Sequence, residues 1–370
     1  MKIGSVPLLH PTALAPMAGM TDTAFRRLVK RLGGCGLVVT EMVSSEGLVR
    51  GIDRTLEYAE FTEEERPVSV QIFGGDPVAM AEAAQIVERM GADIIDVNMG
   101  CPVRKIARHN AGCSLMREPE HAAAIIRAMT AAVKIPVTVK MRAGWNDHDR
   151  NAPALARLVE NAGAAAIAVH GRTAEQSYAG DADWEFISQV AQGVTIPVFG
   201  SGDCIDSTQV VSRLHTTEVS GVLVGRGALR HPWIFRDAAD RLAGRTPRSV
   251  LSADRKGFLL DYVELLSSEG RDEREGFRHM APGQPAQPHV ARGRERWVIN
   301  KVKALMAWYT KGLEGGSQLR SAINTTESVD ALRDLIENFF AALMLAEESD
   351  RLVDGELARA RHATVLRPIY

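Results

Sequence analysis

The stretch DIIDVNMGCPVRK, residues 93–105, runs apolar through Ile94, Ile95 and Val97, then turns to Asn98, Gly100, Cys101 and Pro102, followed by the cations Arg104 and Lys105. A short apolar run halted by glycine and proline reads as a strand, 93–97, buried on both faces as in a parallel sheet covered by helices. A lone thiol between a glycine and a proline then stands just past the strand's C-terminal end.

The pattern recurs on both sides. Runs rich in Val, Ile, Leu or Ala occupy 12–17, 36–40, 68–73, 136–141, 165–170, 196–200 and 221–225, with amphipathic stretches such as Pro77–Met90, Glu120–Ala132 and Ala152–Asn161 between them. Eight such repeats in roughly 215 residues predict an α/β fold, a closed (β/α)8 TIM barrel. A doubly wound sheet would be favoured by G-x-G-x-x-G after the first strand, and APMAGMTD (15–22) is not that fingerprint.

Past Gly244 the rhythm becomes helical alone. Phe258, Leu259, Tyr262, Val263, Leu265 and Leu266 share one face, and Val329, Leu332, Leu335, Ile336, Phe339, Phe340 and Leu343 share another, with Ser328 as N-cap. The spacing predicts a barrel over 1–243, a small all-helical domain over 244–350 and a charged tail over 351–370. Within the helical part, MAPGQPAQPHVARGRER (280–296) has no periodicity and reads as a flexible Pro/Gly/Arg-rich insertion near 276–296.

The chain of 370 residues is 45% hydrophobic and 24% charged, which excludes disordered and collagen-like classes. No window reaches the roughly 18 to 20 apolar residues that span a bilayer, and no secretory leader stands at the start, so the expected location is cytoplasmic. Cys35, Cys101, Cys113 and Cys204 form no C-x-x-C pair, so neither a metal site nor a disulfide framework is expected. A net charge of -2 excludes coating of nucleic acid by bulk charge and leaves room for a local basic patch.

In this architecture the active site is built at the C-terminal strand ends. Those ends carry Pro16-Met17-Ala18, Thr40-Glu41, Gln71, Asn98 and Cys101, Lys140 and Arg142, His170 and Arg172, Gly200-Ser201-Gly202-Asp203, and Gly225-Arg226. Glycine loops after the seventh and eighth strands commonly donate backbone N–H groups to a phosphate, and Arg226 adds a fork-shaped partner. With Gln71 and Lys140 for a ring edge, His170 near the phosphate and the first strand end beneath, the set fits flavin mononucleotide (FMN).

Together APMAGMTD, VQIFGGDP, DVNMGCPVRKI, VTVKMRAGW, AVHGRTAEQSYAGDADW and GRGALRHPWIF resemble the tRNA-dihydrouridine synthase family, in its bacterial B-type branch, from residue 1 to about 243. The resemblance implies FMN- and NADPH-dependent (or NADH-dependent) reduction of selected uridines in tRNA. A monomer is the expected state of the chain. The same resemblance makes Cys101 the general acid, Asn98 a holder of the uracil edge, and Gln71, Lys140 and His170 flavin contacts. Arg142 and Arg172 are left between flavin phosphate and RNA backbone. Arg104, Lys105, Arg108 and His109 suit phosphate contacts that position tRNA.

Two departures from the family stand out. Gly200-Ser201 replaces a segment that usually carries asparagine. NKVKALMAWYTKG (300–312) keeps Lys301 and Lys303 for tRNA but sets Ala304, Leu305 and Met306 where relatives cluster cations, with Arg292, Arg294 and Arg296 just upstream. A flavin barrel acting on a small pyrimidine or on another RNA, and an RNA-binding relative without this catalysis, are the alternative readings.

Overall fold

Eight parallel strands close on themselves in chain order in the computed structural model, which describes residues 1–103, 110–268 and 291–365. They are β1 (Thr12–Leu14), β2 (Leu37–Val39), β3 (Val68–Phe73), β4 (Ile94–Met99), β5 (Val137–Arg142), β6 (Ala166–His170), β7 (Val198–Ser201) and β8 (Gly221–Val224). β1 pairs with β8 on one side and β2 on the other, and β2 pairs with β3, which completes the ring. The expected TIM barrel is the fold.

The intervening helices begin where the sequence marks them. Asp76 caps Pro77–Arg89 by accepting from the Val78 N–H, with Pro77 in the first turn where its missing donor costs nothing. Helices Pro119–Ala132 and Ala152–Asn161 follow the expected spans.

Strand register stacks the interior in layers, because alternate residues of each strand point inward. Gln71, Asp96, Thr138 and Ala166 are successive partners in one layer. Asn98, Lys140, Ala168 and Phe199 form the next, and Arg142, His170, Ser201 and Leu223 stand nearest the C-terminal mouth. The opposite end is apolar. There an antiparallel hairpin, Lys2–Ile3 with Val6–Pro7, sends Ile3 and Leu8 into a cluster with Ala13, Leu37, Ile94, Ala166 and Phe199, which continues through the interior as far as Leu223. Gly4 turns this hairpin at φ +54°, and a Cβ there would stand 2.7 Å from the Pro136 ring.

Of the described residues, 1–247 form one compact unit, and 248–268 with 291–365 form a second. The second contains helices Ser252–Ser268, Ala291–Tyr309, Gly316–Thr325 and Val329–Val365. Phe258, Leu259, Tyr262, Val263 and Leu266 are buried as one face, and Leu332, Ile336 and Phe340 as another. Phe258 stacks on Tyr309 at 5.6 Å, and Ser328 caps the last helix through the Ala331 N–H.

One expectation is corrected here. Residues 291–296 are helix rather than loop, since Ala, Arg and Glu are strong helix formers that outweigh Gly293. The charged tail, for which no element was expected, continues the last helix to Val365, with no proline before Pro368 to stop it. The remainder of the Pro-rich insertion lies outside the described residues, as do Arg104, Lys105, Arg108 and His109. Among the described residues no helix is long and apolar enough to cross a membrane.

Candidate active site

The C-terminal strand ends surround a cavity of about 120 Å³, lined by Pro16, Met17, Lys140, Arg142, His170, Ser201, Gly202, Asp203, Gly225 and Arg226 together with Tyr178 and Cys204. Most of the expected set therefore converges on one mouth. Ala18 is exposed on the turn after β1, while Gln71 is buried in the layer below. Lys301 and Lys303 belong to the helical unit, where the Lys303 ammonium donates to the Asn324 carbonyl and Lys301 lies 5.7 Å from the Trp297 ring centre. Leu305 and Met306 on the same helix face its core.

The turn after β1 is held from three directions. The Thr21 hydroxyl accepts from the Met17 N–H (3.0 Å), Glu41 accepts from the Gly19 N–H (2.6 Å), and the buried Arg26 donates to the Thr21 carbonyl (2.7 Å). Arg26 itself pairs with the fully buried Glu65 at 2.5 Å. Met17 and Pro16 are thus presented on a rigid edge.

Two of the expected arginines are buried rather than free at the rim. Arg142, 4% exposed, donates through Nε to the Gly100 carbonyl (2.8 Å) and through Nη1 to the carbonyls of Thr173 (3.0 Å) and Ser177 (2.9 Å). Arg172, 2% exposed, holds the carbonyls of Ala179 and Gly180 and pairs with Asp203 at 2.7 Å. The loop after β6 is therefore clamped at both ends. Asp203 also accepts from the Ala182 N–H (2.7 Å) and from Arg226 (3.3 Å), and these partners hold its carboxyl below the ordinary range despite partial burial.

Burial, with Lys140, Arg142, Arg172 and Arg226 around it, pushes the His170 imidazole down to about 2, so the ring is neutral at physiological pH. Lys140 is pushed down to about 8, chiefly by desolvation and then by Arg142, against the opposing pull of Asp96. Its ammonium remains mostly charged at pH 7. Three glycines serve distinct purposes. Gly200 makes room for Trp184, whose ring would meet a Cβ at 2.3 Å, and Gly202 (φ +132°) packs on Ala182. A Cβ on Gly225 would instead make ordinary contacts, 3.6 Å from Met17 Sδ, at the cavity wall.

Cys101 is half-buried at the end of β4, and the other three cysteines are buried. Desolvation pushes Cys35 and Cys204 up to about 12 and raises Cys113, so none of these is poised as a thiolate. The Asn98 side-chain oxygen accepts from the backbone N–H of Gly100 (3.1 Å) and Cys101 (2.9 Å), and its amide nitrogen donates to Gln71 (2.8 Å).

Sequence reading missed Tyr178, which is 62% exposed and stands with Arg226 at 5.1 Å and Arg142 at 5.9 Å from its ring centre. An aromatic in a Ser/Ala/Gly loop after a barrel strand was the available signal. It also missed Asp96, a carboxylate inside the buried strand IIDVNM.

The family model described as dihydrouridine synthase matches residues 13–344. The chain belongs to the dihydrouridine synthase family. A probable tRNA-dihydrouridine synthase of Rickettsia bellii is 36% identical over 94% of this chain and 100% of its own length. The tRNA-dihydrouridine synthase B of Xanthomonas axonopodis pv. citri is 38% identical over 93% of this chain and 97% of its own. A histamine dehydrogenase from Rhizobium sp. 4-9 superposes with a TM-score of 0.52 at 10% identity, over 70% of this chain and 50% of that one, a likeness of fold. Dihydrouridine synthases are flavin-dependent oxidoreductases, and in this one the cation-rich mouth and Cys101 occupy neighbouring strand ends.

Proposed function

We propose that this dihydrouridine synthase reduces selected uridines of tRNA to 5,6-dihydrouridine in the cytoplasm, with FMN at the barrel mouth, NADPH as reductant and Cys101 as general acid. The observation that carries the reading is the convergence of Lys140, the neutral His170 and the glycine loops after β7 and β8 on one cavity beside the Cys101 loop.

The residues fit the cofactor. Among the described residues His170 Nδ1 and Arg172 Nη1 are buried without a hydrogen-bond partner, a costly state that a phosphate or flavin oxygen would relieve. Gly225 keeps the wall beside Met17 bare for close approach. When bound, FMN supplies the hydride that adds to uracil C6, and NADPH restores it. Cys101 gives its thiol proton to C5, so the double bond becomes single with one hydrogen added at each carbon, and the sulfur regains a proton from water. Lys140 holds a fixed cation in a dry site, where it stabilises negative charge developing on the ring oxygens. Asn98, whose second amide hydrogen rests only on the weak acceptor Met42 Sδ at 3.6 Å, would turn that hydrogen to the base, and Arg104, Lys105, Lys301 and Lys303 contribute charge for tRNA phosphates.

Nucleoside mass spectrometry of tRNA from cells with the gene, without it, and complemented by Cys101→Ala tests this. Dihydrouridine should fall without the gene and return only with the unsubstituted chain. Full restoration by Cys101→Ala removes the acid from the scheme. Unchanged tRNA with altered ribosomal RNA transfers the activity to another RNA.

A further inference from the structure

We infer that Asp96 is a positioning residue for the Cys101 loop, acting through Gln71 and Asn98. The inference rests on the proposed role of Cys101. Asp96 is a register partner of both Gln71 and Thr138, one layer beneath Asn98.

Hydrogen-bond polarity carries the argument. A side-chain amide presents an oxygen at one end and an NH2 at the other and can be turned either way. Burial pushes the Asp96 carboxyl up, while Gln71, Thr138 and the nearby Lys140 cation favour its ionised form, and in that form it only accepts. Asp96 Oδ2 takes a hydrogen from Gln71 Nε2 at 2.6 Å, and its Oδ1 takes the Thr138 hydroxyl at 2.6 Å. Gln71 must therefore turn its oxygen toward Asn98, whose Nδ2 donates to it at 2.8 Å. Asn98 is then left with its oxygen facing the Gly100 and Cys101 N–H groups, at 3.1 and 2.9 Å. Reversing either amide sets donor against donor at one end of the relay. One carboxylate thus dictates the orientation of two amides and gives the thiol-bearing loop its anchor.

The location of the charge supports a purpose beyond filling space. Asp96 is 6% exposed, within a strand whose every residue is buried. An apolar residue would fill the layer without the desolvation that a carboxylate incurs.

The test uses the full-length, flavin-loaded enzyme with Asp96→Leu, Gln71→Leu and their combination. Asp96→Asn serves as the shape-conserving variant, since its amide no longer forbids the reversed orientation. Two readouts are taken, the rate at which iodoacetamide alkylates Cys101, followed by peptide mass spectrometry, and kcat and KM for tRNA. Each leucine variant should speed alkylation about threefold or more and lower kcat about tenfold, with KM within about twofold, because a loosened loop misplaces the acid. Asp96→Asn should fall between these and the parent. The double variant should be no worse than either single, as expected of one chain of contacts. Unchanged alkylation in all variants, or additive losses in the double, overturns the inference. Faster alkylation with full activity in Cys101→Ala leaves the relay standing and overturns the proposed acid instead.

Discussion

Replacing Asp203 with asparagine isolates the charge that ties the mouth together. Asparagine tolerates the left-handed backbone found at Asp203 (φ +52°), so the loop need not move. What changes is the polarity of one atom. The carboxylate serves Arg172 and the Ala182 N–H at 2.7 Å each and Arg226 at 3.3 Å, and an amide retains one acceptor while turning a donor toward the guanidiniums. Breaking a buried pair from one side costs about 3 to 5 kcal/mol. The Arg172 side chain is 3% exposed, but that of Asp203 is 29% exposed, so water screens part of the loss. The expected cost is about 2 kcal/mol, or about 4 °C for a unit of this size. The sign with pH follows from the depressed carboxyl. Its stabilisation is complete above the ordinary value of 3.8 and is lost as pH falls through the lower folded value. Urea and thermal unfolding followed through Trp184, which donates to the Gly202 carbonyl at 3.0 Å, report the barrel transition separately once Trp297 and Trp308 of the helical unit are replaced by phenylalanine. A shift below about 1 °C at pH 7, or one that persists undiminished well below pH 3.8, refutes the reasoning.

Gly200→Ala should destabilise the barrel by about 1 to 3 kcal/mol, because the new Cβ meets the Trp184 ring at 2.3 Å and that ring is fixed by its hydrogen bond to Gly202. Unchanged urea midpoint and tryptophan emission would show that the ring moves freely. Lys140 should act in opposite directions on activity and stability. Its ordinary value of 10.5 falls to about 8 on folding, so between these pH values the unfolded chain holds a proton that the folded chain has released, and stability rises with pH. Uridine reduction, which needs the charged form, should decline as pH passes about 8. A pH–rate profile with parallel unfolding at each pH checks both, and Lys140→Met should lack the stability gain.

The barrel was legible because buried parallel strands write their burial as unbroken apolar runs, and the site because barrel strands end in their chemistry. Lys140, His170 and Arg226 could be placed at one mouth from order alone. Their states could not. That Arg142 and Arg172 would be taken up by backbone carbonyls, most of them in the loop after β6, depends on contacts seven and eight positions apart within that loop and 31 to 42 positions apart from β5, which no local pattern records. Gly200 looked like a ligand contact and instead accommodates Trp184, since a glycine's neighbour is invisible without the fold. Asp96 was passed over because it sits between apolar residues, where its polarity had no visible partner; Thr138 and Gln71 come from the strands on either side.

The hairpin that seals the apolar end sets an order of events during synthesis. Ile3 and Leu8 precede every barrel strand, and the cluster they join runs from Ala13 and Leu37 in the first two strands to Phe199 and Leu223 in the last two, so it is complete only when nearly the whole barrel has left the ribosome. Contacts of such sequence separation close slowly. Through that interval the cluster stays incomplete and the barrel's growing interior stays open at one end, which makes this end of the barrel a natural point for chaperone protection.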